Sequence, residues 1–439
     1  MNPFMLVKGE WRHSLRGVLA VALVLGLALS LGVGVGMTER AVRQGAARAG
    51  DAFDLLVGAQ GSGVELMLGA VYLRPQPLAL VPGSLVSDIL KQKGVAWAAP
   101  LAFGDRWENA PLVGTTESMV TLGGTRELAE GVPFAAQDEA VVGAGVPLRL
   151  GENLTPLHGQ AGSRRHEHIR YRVVGRLPYT GTPWDKAVLV PIESLWAIHG
   201  AFPGGTAEPG KDGHAPDGGP AQRPEGAEHG EDGHAPAAAR PLGDVFRDAA
   251  PGSLPGVSAV VVKPDSVAAA YRLRAFWQTA SVPGADGKAV NTQGVFTGEV
   301  LTGLFATLGD MRAIMSVMAY AAQAVALCAV VLVALMAVAA RRPLLGTLRA
   351  LGAPRLYLVC AVWSMVTLSI ALGTATGLLL GSGLAQGLSL LLFRQTGVVF
   401  SVSLSLAEIS FAAASLLIGS LCAVIPACMV YRKKGAGIL

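Results

Sequence analysis

The chain has 439 residues, of which 51% are hydrophobic and only 15% charged, whereas an ordinary soluble domain carries about 25% charged residues. That balance points to a membrane protein and excludes a chain disordered throughout, while 56 Gly, 26 Pro and few aromatics argue against a coiled coil or a single compact barrel. A net charge of +4, from 35 Lys+Arg and 31 Asp+Glu, gives no reason to expect nucleic-acid binding, which needs a concentrated basic patch.

Residues 1–17 form a basic amphipathic segment carrying Lys8, Arg12 and Arg16. The uncharged run Val18 to Gly36 is then long enough to cross a bilayer core, which takes about 20 apolar residues. A cleaved signal peptide is the rival reading. Its apolar core would be only about 7–15 residues long, and the loosely matching Ala47-Arg48-Ala49 lies far beyond the end of this run.

Residues 37–313 are expected to form an extracytoplasmic α+β domain of two lobes. Strand-sized runs occur at Phe53 to Val57, Ala140 to Val142, Tyr171 to Val174, Ala187 to Val190 and Ala259 to Val262. Helical signals fall at Ser84 to Lys93 and at Ser266 to Thr279, the second opening on an N-cap serine and turning Val267, Tyr271 and Leu273 toward a core. Residues 38–50 read as a polar extension of the first span. Leu301, Leu304, Phe305 and Leu308 make an apolar stripe in 297–313, so the two segments form either a stalk or ordinary core helices. Residues 204–240 are Gly-, Pro- and Ala-rich with almost no large apolar side chain, the composition of a disordered insertion. Gly205 to Asp212 nearly spells a phosphate-binding loop, but Asp212 stands where a Ser or Thr would hold magnesium.

Three further uncharged runs follow, giving spans at 314–340, 356–387 and 409–431, with a short external loop at 388–408 and a tail at 432–439. Arg341, Arg342, Arg349 and Arg355 separate the second and third spans, and Arg432, Lys433 and Lys434 follow the fourth. With Lys8, Arg12 and Arg16 these clusters include one nearby acid, Glu10, so both termini and the 341–355 connection are assigned to the cytoplasm. The fold class is an integral membrane α-helical protein with four transmembrane helices and a large extracytoplasmic α+β domain. All four cysteines, Cys328, Cys360, Cys422 and Cys428, lie in spans and read as small apolar residues.

Candidate chemistry is sparse. His158, His166, His168 and His199 flank one strand region, and His214, His229 and His234 sit in the insertion. Neutral imidazoles bind zinc or copper, so transient metal binding stands beside a reading as solvated polar loops. There is no G-x-S-x-G elbow and no H-E-x-x-H motif, and the spans as delimited hold no Asp, Glu, Lys, Arg or His, where an ion-driven pump would need one. In the 341–355 connection Leu344, Leu345, Leu348 and Leu351 share one helical face edged by arginines. That design suits docking in the groove of a partner or lying on lipid headgroups. In the third span Gly373, Gly377 and Gly381 recur every four residues, a spacing for close helix packing or for a tolerant lipid face.

The basic connection ending in Leu348-Arg349-Ala350-Leu351-Gly352-Ala353, followed by the glycine-bearing span, resembles the FtsX-like, MacB-like permeases of the macrolide-exporter and lipoprotein-release class. Further matches are Asp54 to Ser62, Val173 to Leu177 and Thr180-Gly181-Thr182-Pro183-Trp184-Asp185, which resemble a bacterial subgroup with no settled substrate. The resemblance implies a multi-pass inner-membrane subunit of an ABC transporter that is not itself an enzyme. A separate cytoplasmic ATPase would bind ATP and magnesium, the permease would be a homodimer, and a periplasmic adaptor or client is implied. Residues 341–355 would be the coupling helix, with Arg342, Leu344, Leu345, Leu348, Arg349 and Leu351 meeting the ATPase. A frequent acidic residue of that loop is replaced by Pro343-Leu344-Leu345. Mechanotransmission, rather than passage between the spans, is the implied mechanism. The alternatives are a membrane-anchored periplasmic metal sensor, for which about 15 residues at either end leave no signalling domain, and a membrane-bound enzyme with an extracytoplasmic site.

Overall fold

The computed structural model describes residues 15–158, 169–198, 242, 244–246, 249–250, 254–284, 288–340, 347, 350 and 352–429. It divides into two compact units, one of residues 48–301 and one combining 1–47 with 302–439. In chain order the first elements are helix α1 (Leu15–Gly50), β1 (Leu55–Ala59), α2 (Gly63–Ala70), β2 (Val81–Pro82), α3 (Leu85–Leu90), β3 (Val95–Trp107), β4 (Ala110–Thr115) and α4 (Glu117–Val120). Next come β5 (Glu130–Gly131), β6 (Glu139–Val142), β7 (Asn153–Leu154), β8 (Leu157–His158), β9 (Tyr171–Arg176), β10 (Val188–Pro191) and α5 (Ile192–Ile198). The remainder are β11 (Gly256–Val257), β12 (Ala259–Pro264), α6 (Val267–Thr279), β13 (Ser281–Pro283), β14 (Ala289–Phe296), α7 (Thr297–Ala340), α8 (Arg355–Thr396), α9 (Leu406–Cys422) and α10 (Val424–Met429).

In the first unit, among the described residues, the main sheet runs β13-β14-β1-β12-β3-β4-β10-β6-β9-β5, with β8 added to β3 and β7 to β9. Two lobes are expected, and the sheet has two halves that meet at the long strand β3. Its residues Val95 to Leu101 pair with β12, and Ala102 to Trp107 turn to β4, so two half-sheets share one strand. Their cores merge: Leu55, Val57, Val260 and Val262 of one half and Leu112, Val142, Val188 and Val190 of the other belong to one buried cluster.

β3 carries no strand signal because it is rich in Ala and holds Pro100, which cannot donate to a ladder. Pro100 is nonetheless tolerated opposite Val260, and its carbonyl accepts the Thr115 hydroxyl at 2.7 Å. α6 begins where expected, Ser266 accepting from the Ala269 N–H, but its inward face differs. Ala269, Leu273 and Trp277 are buried, whereas Val267 is 75% and Tyr271 61% exposed. Four-residue spacing from Ala269 defines that stripe; Tyr271 instead sets its ring edge on Phe296.

The second unit is helical. Gly17–Gly50, Ala313–Ala340, Leu356–Thr396 and Leu406–Cys428 are each long and apolar enough to cross a membrane. Leu19, Leu23, Val317, Leu332, Leu379 and Leu417 point outward with about half or more of their surface exposed, a cost in water that lipid removes. The third of these helices runs past the span expected at 356–387 and continues to Thr396, where Gly397 at φ 73° closes it. An interior glycine only weakens a helix, whereas a left-handed one stops it.

Candidate functional site

In the second unit α1 packs on α8 through glycine. The ideal Cβ positions of Gly373, Gly377 and Gly381 on α8 fall 2.8, 2.7 and 2.8 Å from the Cβ atoms of Leu25, Leu29 and Val33. The carbonyl oxygens of Ala22, Gly26 and Ser30 lie within 3.1 Å of the same positions. Any larger residue therefore meets backbone, which cannot swing away. The register advances in the same direction on both helices, so α1 and α8 run parallel. α1 contributes its own Gly26, whose Cβ position lies 3.2 Å from the Gly373 carbonyl oxygen, and Thr376 returns a hydroxyl to that carbonyl at 2.9 Å. Small residues on both sides allow backbones to touch where lipid supplies no hydrophobic drive.

α1 also meets the first turns of α9 and the segment that leads into it. Gly32 lies under Phe411 (2.7 Å), Gly36 under the Glu408 carboxylate (3.1 Å) and Gly45 under Phe400 (2.8 Å). Arg40 donates to the Glu408 carboxylate, to the Ser403 carbonyl at 3.4 Å and to the Gly36 carbonyl of its own helix. The Glu408 side chain is 5% exposed. Its other oxygen accepts the Ser405 N–H and hydroxyl, closing a capping box at the head of α9. Sequence reasoning missed this pair by starting the fourth span at Ile409. The signal was present: Ser405-x-x-Glu408 before an apolar run is a helix-start signature.

In the β-rich unit the motif residues serve the fold. Asp185 accepts from the Thr180 N–H (2.9 Å), the Thr180 hydroxyl (2.7 Å) and the Gly181 N–H (2.7 Å), tying Thr180 to Asp185 into a closed turn. That turn presents Trp184, whose indole N–H donates to the Val71 carbonyl and whose ring packs on Phe53 at 5.5 Å. Arg176, from the Val173 to Leu177 motif, donates to the Val146 and Leu148 carbonyls. Asp54 pairs with Lys263 at 2.7 Å, and Ser62 caps α2.

Among the described residues of this unit, two charged groups, Glu139 and Arg126, are shifted. Burial pushes the Glu139 carboxyl up, but the Ala135 and Ala136 N–H donors and the Arg172 guanidinium outweigh it and hold it below its ordinary range. Burial lowers Arg126 to about 10; its guanidinium, spent on the Met119 and Val120 carbonyls, stays charged at neutral pH.

Of the sequence-derived candidates, Gly373, Gly377 and Gly381 come together at the α1 seam. Arg342, Leu344, Leu345, Leu348, Arg349 and Leu351 lie outside the described residues; Thr347 and Ala350 among them are helical. Gly352 at φ 90° and Pro354 at the N-cap then lead into α8. His158 is in β8, its backbone paired opposite Asp105 of β3. His166, His168, His199 and the 204–240 insertion lie outside the described residues. Among the described residues no group of three or more His, Cys, Asp or Glu is placed to hold a metal ion.

Residues 316–434 match the family model for the FtsX-like permease C-terminal domain. The basic connection, the glycine-bearing α8 and α9 all fall inside that match, so this part of the chain is similar to ABC-transporter permeases of the FtsX type. No curated protein matches the chain. Among solved structures, the periplasmic region of MacB from Actinobacillus actinomycetemcomitans aligns at 12% identity and a TM-score of 0.31, over 58% of this chain and 93% of that one. The extracellular domain of the noncanonic ABC-type transporter YknZ from Gram-positive bacteria aligns at 13% identity and a TM-score of 0.27, over 55% of this chain and 98% of that one.

Proposed function

We propose that this chain is the permease subunit of an ABC transporter in a bacterial inner membrane, driven by a separate cytoplasmic ATPase. The observation that carries the reading is the match of residues 316–434 to the FtsX-like permease C-terminal family, which takes in the 341–355 connection and the helices on either side of it. In this reading ATP and magnesium belong to the partner, and the permease itself catalyses nothing. Leu344, Leu345, Leu348 and Leu351 enter a groove of the ATPase, with Arg342 and Arg349 at the rim. Two permease chains pair, and ATP-driven closure of the ATPases moves the extracytoplasmic β-rich unit to expel or extract a client, with or without a periplasmic adaptor. Charge-poor spans fit a device that transmits movement, since a polar conduit through the helices would need ionisable groups facing it.

The test is co-purification. Tagged full-length chain solubilised from the membranes of its source cell should bring down one ATP-binding-cassette ATPase in equal amount. Recovery of the chain alone, or with a sensor kinase, would overturn the reading.

A further inference from the structure

Within the helical unit α1 meets α8 through the glycine seam and meets the stretch from Val398 to Phe411 through Gly32, Gly36 and Gly45. The second contact contains the unit's most deeply buried described carboxylate in an ion pair, that of Glu408. We propose that Arg40 and Glu408 form a positioning pair that fastens the 397–408 segment and the head of α9 to α1, so that displacement of either helix is carried to the other. The proposal rests on the permease reading only for what the movement is used for.

Three features argue for a joint rather than an incidental surface pair. Glu408 divides its two oxygens, one holding Arg40 and the other holding the Ser405 N–H and hydroxyl, so the ion pair is locked to the helix start. Arg40 likewise grips across elements, reaching the Ser403 carbonyl on one side and the Gly36 carbonyl on the other. Glycine at 36 leaves room for the carboxylate, its Cβ position lying 3.1 Å from Glu408 Oε1. An exposed pair would contribute little. A buried carboxylate deprived of its cation is strongly disfavoured, so the contact resists separation.

Hydrogen exchange on the full-length chain in nanodiscs tests this, using Arg40→Gln, Glu408→Gln and the double variant. Gln at 408 preserves the shape and the capping acceptor while removing the charge. Each single variant should speed exchange of the backbone amides of both 37–45 and 398–408 by about tenfold, and the double variant should be no faster than either single. Unchanged exchange, loosening confined to the substituted element, or effects that multiply in the double variant would overturn the proposal. Arg40→Lys keeps the charge and should stay within about threefold of the native chain; should the Gln variants fail to fold, full loosening in Arg40→Lys would count against the pair. Stimulation of the co-purified ATPase, measured on the same samples, keeps the two ideas apart. Absence of stimulation by the native chain would contradict the permease reading, whereas the exchange rates alone decide for or against the pair.

Discussion

Each of the two units of this protein has its own balance of side-chain and backbone packing. In the β-rich unit, two half-sheets joined by β3 close over Val, Leu and Trp side chains that are almost wholly buried. In the helical unit α1 and α8 meet where side chains are missing, at Gly26, Gly373, Gly377 and Gly381, beside small buried clusters such as Leu25, Leu327 and Val330, while many other Leu, Val and Met side chains point outward. Water makes side-chain burial favourable in the first case. Lipid offers no such gain, so close backbone approach and a few polar ties decide the second. Added volume at the seam glycines should therefore disrupt the helical unit, and removal of a buried ring such as Trp184 should weaken the β-rich unit.

Trp184→Ala should do the most damage. It removes a buried ring, its packing on Phe53 and its hydrogen bond to the Val71 carbonyl, and should cost about 3–5 kcal/mol, read as a lowered denaturation midpoint of the β-rich unit. Close behind it, Asp185→Ala strands the Thr180 and Gly181 donors and should cost about 2–3 kcal/mol. In the helical unit Gly377→Leu drives a side chain into Leu29 and the Gly26 carbonyl. A destabilisation of about 1–3 kcal/mol should appear as a lower thermal midpoint of the helical unit in nanodiscs, whereas Gly383→Leu, at a position with no neighbour within 4 Å, should be silent. Equal effects at 377 and 383 would erase the contrast between the units.

The smallest effect concerns acid. The folded Glu139 carboxyl lies below its ordinary range, so the charged form is favoured by folding. Its contribution is present above the unfolded-state value and fades as pH falls through the folded one. Glu139→Gln should therefore weaken the β-rich unit by about 1 kcal/mol near neutrality and by nothing measurable once both forms are protonated. A pH-independent difference would assign the loss to packing instead.

Much of this arrangement is legible in the sequence wherever one local signal coincides with the tertiary one. The apolar runs become β1, β6, β10 and β12 because those strands are buried on both faces and need no alternation, whereas β9 alternates, burying Tyr171 and Val173 and exposing Arg172. Ser266 announces α6, yet the helix turns Ala269 rather than Val267 inward, because Trp277, four residues beyond Leu273, anchors the face. β3 is illegible for a different reason. Its Ala and Pro100 have poor strand preference, and only pairing with β12 and β4 holds them extended, a tertiary override of propensity. At the candidate site the four-residue glycine period of α8 is readable. Its complement on α1 is not, since which helix a glycine stripe faces depends on packing alone. Arg40 and Glu408 are distant in sequence, and only their fold joins them.

A permease driven by a separate ATPase would couple to it at the 341–355 connection. ATP hydrolysis by the co-purified ATPase should be measured with the native chain and with a Leu348→Asp, Leu351→Asp variant in nanodiscs. Carboxylates pressed into an apolar groove cost several kcal/mol, on the order of 2–7, so the native chain should alter the ATPase rate and bind it stably, while the variant inserts normally but does neither. Undiminished binding and stimulation by the variant would contradict the assignment of this connection as the coupling helix, and no effect of the native chain on any ATPase would contradict the permease reading itself.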